Sequence, residues 1–215
     1  RASDAACGGP KRGSRTMTRL ALLRPGATAW NAEGRLQGRN DQPLSPAGRA
    51  ALERRRLPAE FATWRVLVSP LVRARETASV LGLSKAAADE RLMEMDWGAY
   101  EGQTLAEIRA KHGASLRDDE GRGLDFRPPG GESPRAVQAR LLPLLAELGA
   151  GGNDTLAVTH KGVIRAVLAL AQNWDMVGKP PLRLDWDCAH VFVLQAGGLP
   201  RLERPNVAMS AAVAA

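Results

Sequence analysis

The sequence predicts an α/β domain built on a largely parallel sheet. Two observations carry this. Short apolar runs of strand length alternate with helical patterns. Each run also ends in turn residues that lead into the next helix. Thr18 to Leu23 ends at Arg24-Pro25-Gly26, Trp64 to Val68 stops at Ser69-Pro70, and Thr155 to Thr159 ends at His160-Lys161-Gly162.

The helices follow from their start signals. Ser45 is an N-cap with Pro46 at the first helical position, opening a helix toward Leu57. A second runs from about Leu71 to Leu81. From Glu94 to Arg127 the chain is less regular. Thr104 caps a short helix carrying Leu105 and Ile108, and Arg117 to Gly123 reads as a polar loop. Ser133 and Pro134 open a helix whose apolar face is Leu141, Leu144, Leu145 and Leu148, with a kink expected at Pro143. Val163 to Ala171 forms the next helix, and His190 to Leu194 a late strand.

A chain of 215 residues with 44% hydrophobic content suits one domain over residues 17–215. No apolar run reaches the roughly 20 residues needed to span a membrane. The longest, Val163 to Ala171, is broken by Arg165. Cys7 and Cys188 are the only cysteines, which implies no disulfide framework and fits a reducing, cytoplasmic setting. Arg1, Lys11, Arg12 and Arg15 against Asp4 put nearly half of the net charge of +7 into residues 1–16. The remainder has no aromatic-interleaved basic stripe, so a nucleic-acid partner is not expected. Residues 1–16 lack an apolar signal-peptide region and read as a disordered extension or a cloning remnant, with Met17 as a plausible start. No metal or cofactor is implied, and nothing in the sequence speaks to oligomeric state.

In open α/β sheets, reactive groups gather at the carboxyl ends of strands. Arg24 follows the first strand, Arg73 lies just beyond the second, and His160 follows the third. Arginine suits such a place, because its planar fork grips two oxygens of a phosphate. A lone arginine is usually solvated surface and a lone histidine usually structural, as His112 and His190 are read here. Arg73 differs because it sits at a strand-to-helix turn, and Arg24 and His160 because each also sits within a longer pattern.

These patterns are Leu20-Ala21-Leu22-Leu23-Arg24-Pro25-Gly26-Ala27-Thr28-Ala29-Trp30-Asn31, Gly34-Arg35-Leu36-Gln37-Gly38, Leu92-Met93-Glu94-Met95-Asp96-Trp97-Gly98 and Val158-Thr159-His160-Lys161-Gly162-Val163-Ile164-Arg165. Together they resemble the histidine phosphatase (phosphoglycerate mutase-like) superfamily over nearly all of 18–207. The resemblance implies a three-layer α/β/α sandwich with a mostly parallel central sheet. It also implies hydrolysis of a phosphorylated small molecule through a phosphohistidine. Arg24, Arg73 and His160 would then hold the phosphoryl group, with Asn31 an auxiliary contact and Thr28, Gln37 and Gly38 near the substrate. Glu94 would protonate the leaving oxygen, its pKa raised by burial against Trp97. The short interval between Glu94 and Pro128-Pro129-Gly130-Gly131 favours a phosphatase over a mutase.

One residue departs from the family pattern. The nucleophilic histidine should follow Arg24, and Pro25 stands there. Proline has neither a side-chain lone pair nor a backbone N–H, so it cannot attack phosphorus. Three explanations remain open: a pseudoenzyme that binds phosphorylated ligands as a sensor or interaction module, a phosphatase altered by recent mutation or sequence error, and a different reaction such as direct water attack.

Overall fold

Strand β1 (Thr18–Leu23) is flanked on both sides by partners that depend on residues far along the chain. The computed structural model describes residues 17–212; the extension expected over 1–16 lies outside them. In chain order there follow α1 (Ala29–Ala32), α2 (Pro46–Glu53), β2 (Arg55–Arg56), β3 (Arg65–Val68), α3 (Val72–Val80) and β4 (Ala87–Ala88). Then come α4 (Leu105–Glu120), α5 (Pro134–Gly151), β5 (Thr155–Val158), α6 (Lys161–Gln172), β6 (Ala189–Leu194), β7 (Pro200–Val207) and β8 (Ser210–Ala211).

The main sheet has six strands in the order β4-β3-β5-β1-β6-β7. Neighbours from β4 to β1 run parallel, while β6 and β7 add antiparallel pairings. The sheet is therefore mixed but mostly parallel. Side chains alternate between its faces. Leu20 and Leu22 enter one core with Leu141, Leu145, Val163 and Val167 of α5 and α6. Ala21 and Leu23 enter a second core with Ala74 and Ala78 of α3 and with Phe61. Two cores on opposite faces of one sheet make the three layers.

The start signals predicted from sequence hold. The Ser45 side chain accepts from the Gly48 N–H, and the Ser133 side chain accepts from the Ala136 N–H. Two local expectations need correction. Helix α2 stops at Glu53 rather than running toward Leu57. Pro58 disfavours helical backbone at Leu57, and Arg55–Arg56 pair instead with Ser210–Ala211. The stretch expected to be loop from Arg117 is helical to Glu120, because α4 continues past a break at Gly113, where φ is 56°. Polarity alone does not exclude helix. Helix α5 contains Pro143 within its span.

Candidate active site

Strands β3, β5 and β1 are neighbours in register, with Val158 paired to both Val68 and Leu23. Their carboxyl ends therefore deliver Ser69, His160, Arg24 and Pro25 to one edge of the sheet. A cavity of about 750 Å³ opens there, and Arg24, Pro25, Arg73, Glu94 and His160 all line it.

Arg73, on the first turn of α3, is only 4% exposed. It donates through Nη2 to the Gly38 carbonyl at 2.7 Å and through Nη1 to the Asn40 carbonyl at 2.9 Å. The loop carrying those carbonyls is held from its other side by Glu101, which accepts from the Arg39 N–H at 2.7 Å and the Asn40 N–H at 3.0 Å. Gly38 has φ +53°, and a Cβ there would lie 1.8 Å from Glu101 Oε1. Only glycine lets carboxylate and loop approach this closely. Arg24 makes no hydrogen bond or ion pair among the described residues. Burial lowers the pKa of both guanidiniums, with Glu94 opposing. A shift from so high a starting value still leaves both cationic at neutral pH.

His160 caps α6 and is 2% exposed, with Nε2 2.7 Å from Ser69 Oγ. Burial pushes its pKa well below the usual imidazole value, and the nearby Arg73, Arg140 and Arg24 push it further. The ring is therefore neutral near neutral pH. Glu94 has the opposite problem. Burial raises its pKa, while hydrogen bonds from the Met95 and Gly162 N–H groups and the charges of Arg73 and Arg140 pull it back. Its Oε1 accepts from Met95 at 2.8 Å and from Gly162 at 3.0 Å. A Cβ on Gly162 would lie 2.3 Å from that oxygen, so the glycine makes the approach possible.

The remaining predicted residues divide. Asn31, Gln37 and Gly38 line the cavity. Gln37 Oε1 is buried and has no hydrogen-bond partner among the described residues. Thr28 does not line the cavity: it is 1% exposed and caps α1, donating from N–H and Oγ1 to Asn31 Oδ1 at 2.9 and 3.2 Å. This fixes Asn31 by its carbonyl and leaves its NH₂ group as the free end. Two supporting residues escaped the sequence reading. Ser69 was read only as the end of a strand. Arg140 on α5 donates to the backbone carbonyls of Arg91, Met93 and Glu94, and so holds the Glu94 segment in place. No local pattern marks it, since its partners lie far away in sequence. His112 and His190 lie outside the cavity lining.

Arg24, Arg73, Glu94 and His160 thus meet at a single cavity that Arg35, Arg109, Lys161 and Arg165 also line. A model of the histidine phosphatase superfamily (branch 1) matches residues 20–207. Glucosyl-3-phosphoglycerate phosphatase of Mycolicibacterium vanbaalenii is 36% identical over 74% of this chain and 79% of its own. A 2,3-bisphosphoglycerate-dependent phosphoglycerate mutase of Gloeobacter violaceus is 34% identical over 71% of this chain and 74% of its own. Among solved structures, a mycobacterial glucosyl-3-phosphoglycerate phosphatase in complex with VO3 superposes with a TM-score of 0.72. It is 29% identical, and the match covers 89% of this chain and all of that one. The chain belongs to the histidine phosphatase superfamily.

Proposed function

We propose that the cavity binds the phosphate of a phosphorylated small molecule, and that Pro25 stands where the family's nucleophilic histidine would be. As written, the chain is a binding module with phosphatase ancestry rather than an efficient enzyme. The observation that carries this reading is Arg24 and Arg73 lining one cavity with no carboxylate paired to either among the described residues. Burying a guanidinium without an ion-pair partner is costly, and a phosphate dianion offsets that cost through bidentate hydrogen bonds. A relative captured with VO3 supports the same use of the pocket.

In this reading Arg24, Arg73 and the NH₂ group of Asn31 hold phosphoryl oxygens, and His160 joins them once the dianion raises its proton affinity. Gln37 and Gly38 face the bound ligand, while Thr28 acts indirectly by fixing Asn31. Glu94 is placed to give its proton to the leaving oxygen. The missing step is attack on phosphorus. Thr28 is buried and committed to its cap, and Ser69 is fully buried outside the cavity lining. His160 can attack only by abandoning the phosphate. The cysteine content keeps a reducing, cytoplasmic setting as the expected one.

The test is calorimetric titration of the natural chain and of Arg73→Ala with inorganic phosphate and orthovanadate, beside a phosphomonoesterase assay. Salt-sensitive binding by the natural chain, lost in Arg73→Ala, with negligible turnover is the expected result. Equal binding by both proteins, or turnover in the ordinary range of about 1–10³ per second, overturns the reading.

A further inference from the structure

Ser69 follows β3 and His160 follows β5, and the pairing of Val68 with Val158 brings these two strand ends side by side. The Ser69 N–H donates to the Val158 carbonyl at 2.9 Å, which fixes the serine backbone against β5. Pro70 comes next and has no N–H. Leu71 is therefore the first residue of the turn able to donate back, and its N–H reaches Ser69 Oγ at 3.4 Å. The serine is fully buried and lies outside the cavity lining.

Ser69 Oγ also lies 2.7 Å from His160 Nε2. A hydroxyl has one proton to give and two lone pairs with which to accept. One lone pair receives the Leu71 N–H. Among the described residues the proton has no acceptor other than Nε2, and a buried donor left without an acceptor is destabilising. The arrangement that satisfies both groups has Ser69 donating and Nε2 accepting. Burial and the nearby arginines keep the ring neutral. A neutral imidazole carries a single N–H, so its proton then sits on Nδ1. That nitrogen makes no hydrogen bond among the described residues: His160 occupies the N-cap of α6, but its side chain caps nothing there. His160 lines the cavity, and Nδ1 is the ring nitrogen left to face it.

We propose that Ser69 is a positioning residue: its hydroxyl selects the Nδ1–H tautomer of His160, so that the ring presents a donor rather than a lone pair to the cavity. The choice matters because neutral imidazole in water favours the proton on Nε2. Here that form would aim the Nδ1 lone pair at an incoming oxyanion and repel it. The selected tautomer also bars His160 from standing in as the nucleophile, since a protonated Nδ1 has no in-plane lone pair with which to attack phosphorus. A hydroxyl suits this role better than a carboxylate, which would require a proton on Nε2. If a bound dianion protonates the ring, the hydroxyl turns to accept from Nε2–H, and Nδ1–H faces the ligand in both charge states. The inference rests on the phosphate reading above, yet the tautomer belongs to the ligand-free protein and is measured there.

The experiment records two-bond proton–nitrogen correlation spectra of the full chain with isotope-labelled histidine at neutral pH. The His160 signals are assigned by their absence from His160→Gln. The expected spectrum shows a protonated Nδ1 and an unprotonated Nε2. A protonated Nε2 with a bare Nδ1 overturns the proposal, whatever the protein binds. Ser69→Ala should bring the Nε2–H form into the spectrum. It should also weaken sulfate binding, read by calorimetry, about tenfold, as loss of one charge-assisted contact would. Sulfate is the probe because it stays a dianion where phosphate titrates. Ser69→Thr keeps the hydroxyl and should restore the tautomer and most of the affinity. A Ser69→Ala protein with the natural spectrum and the natural affinity reduces the serine to packing and overturns the proposal. The natural chain's spectrum decides the tautomer even where a substitution at this buried position prevents folding. An Nδ1–H spectrum in a protein that binds neither sulfate nor phosphate counts against the phosphate reading and leaves the Ser69 assignment standing.

Discussion

The carboxyl ends of β1 and β5 lie side by side, with Leu23 paired to Val158, yet they are equipped differently. The β5 end carries a buried histidine, supported by Ser69, beside a glycine that admits Glu94. The β1 end carries an arginine with no hydrogen bond or ion pair among the described residues, and then a proline. Backbone geometry explains how proline is accommodated there. The Thr159 N–H donates to the Leu23 carbonyl at 2.8 Å, and the parallel ladder ends with the pair Leu23–Val158. Pro25 lies beyond it, where a missing N–H breaks no ladder bond. The turn is secured one residue later, where the Gly26 N–H donates to Thr77 Oγ1 at 2.9 Å. On the proposed reading, reactivity and folding separate at this position: proline lacks the family's nucleophilic nitrogen, and its missing N–H breaks no ladder bond.

The most direct way to break the contrast is Pro25→His, which equips the β1 end like its neighbour. The side chain enters an existing cavity, so the protein should fold normally. In the family reaction the ring nitrogen attacks phosphorus, the ester P–O bond breaks, and the leaving oxygen takes the Glu94 proton. Water then cleaves the P–N bond. Restoring a nucleophile should raise aryl phosphate turnover by several orders of magnitude, given losses on the order of 10⁶ for removing one elsewhere. A folded but inert Pro25→His protein would mean that the β1 end has lost more than one residue.

Within the Pro25→His background, Glu94→Gln tests the proton donor beside the β5 end. Alkyl phosphate hydrolysis should fall by about 10²–10⁴-fold. Aryl phosphates, whose leaving groups need less protonation, should lose much less. Equal losses on both substrates would make Glu94 a structural group.

Gly162→Ala probes how tightly the β5 end is packed. The added Cβ would lie 2.3 Å from Glu94 Oε1, so the carboxyl must move. Overpacking of this kind costs about 1–3 kcal/mol, to be read from urea unfolding. In the Pro25→His background the change should reproduce the leaving-group dependence of Glu94→Gln. Unaltered stability and an unaltered substrate profile would show that the glycine is not required there.

The smallest expected effect concerns His190, which pairs with Leu22 on the other side of β1. Its Nδ1 accepts from the Asn206 N–H, and burial lowers its pKa from 6.5 to about 4. Between those values the unfolded chain takes up a proton that the folded one refuses. Stability should therefore decline as pH falls through that window and be unaffected by this group above it. Buried His160 acts in the same direction. Glu94, with its raised pKa, acts oppositely: its contribution is full below the unfolded carboxyl value and is lost as pH rises through the folded one. Urea unfolding at several pH values should show a shallower acid limb for His190→Gln. An unchanged limb would assign it to the carboxylates of the surface ion pairs.

Much of the scaffold was legible locally, because its signals are local. Strand β1, the caps at Ser45 and Ser133 and the apolar face of α5 each follow from a few consecutive residues. What failed was equally local in origin. Polarity from Arg117 suggested a loop, but charged residues are compatible with helix, and α4 extends to Glu120. Arg55 and Arg56 left the helical pattern because their partners, Ser210 and Ala211, lie far along the chain.

For the site, the sequence by itself determined which groups are available: Arg24, Arg73, Glu94 and His160 present, and Pro25 without a nucleophilic atom. Side-chain chemistry is a property of each residue and needs no fold to be read. Tertiary structure alone decided how those groups are tuned and joined. Burial keeps His160 neutral and raises Glu94, Arg140 steadies the Glu94 segment, and Thr28 serves Asn31 rather than the cavity. It also set Ser69, at the end of β3, against Nε2 of His160, at the end of β5. Desolvation and charge proximity depend on which distant segments meet, and that is settled only when the strands pair and the helices pack.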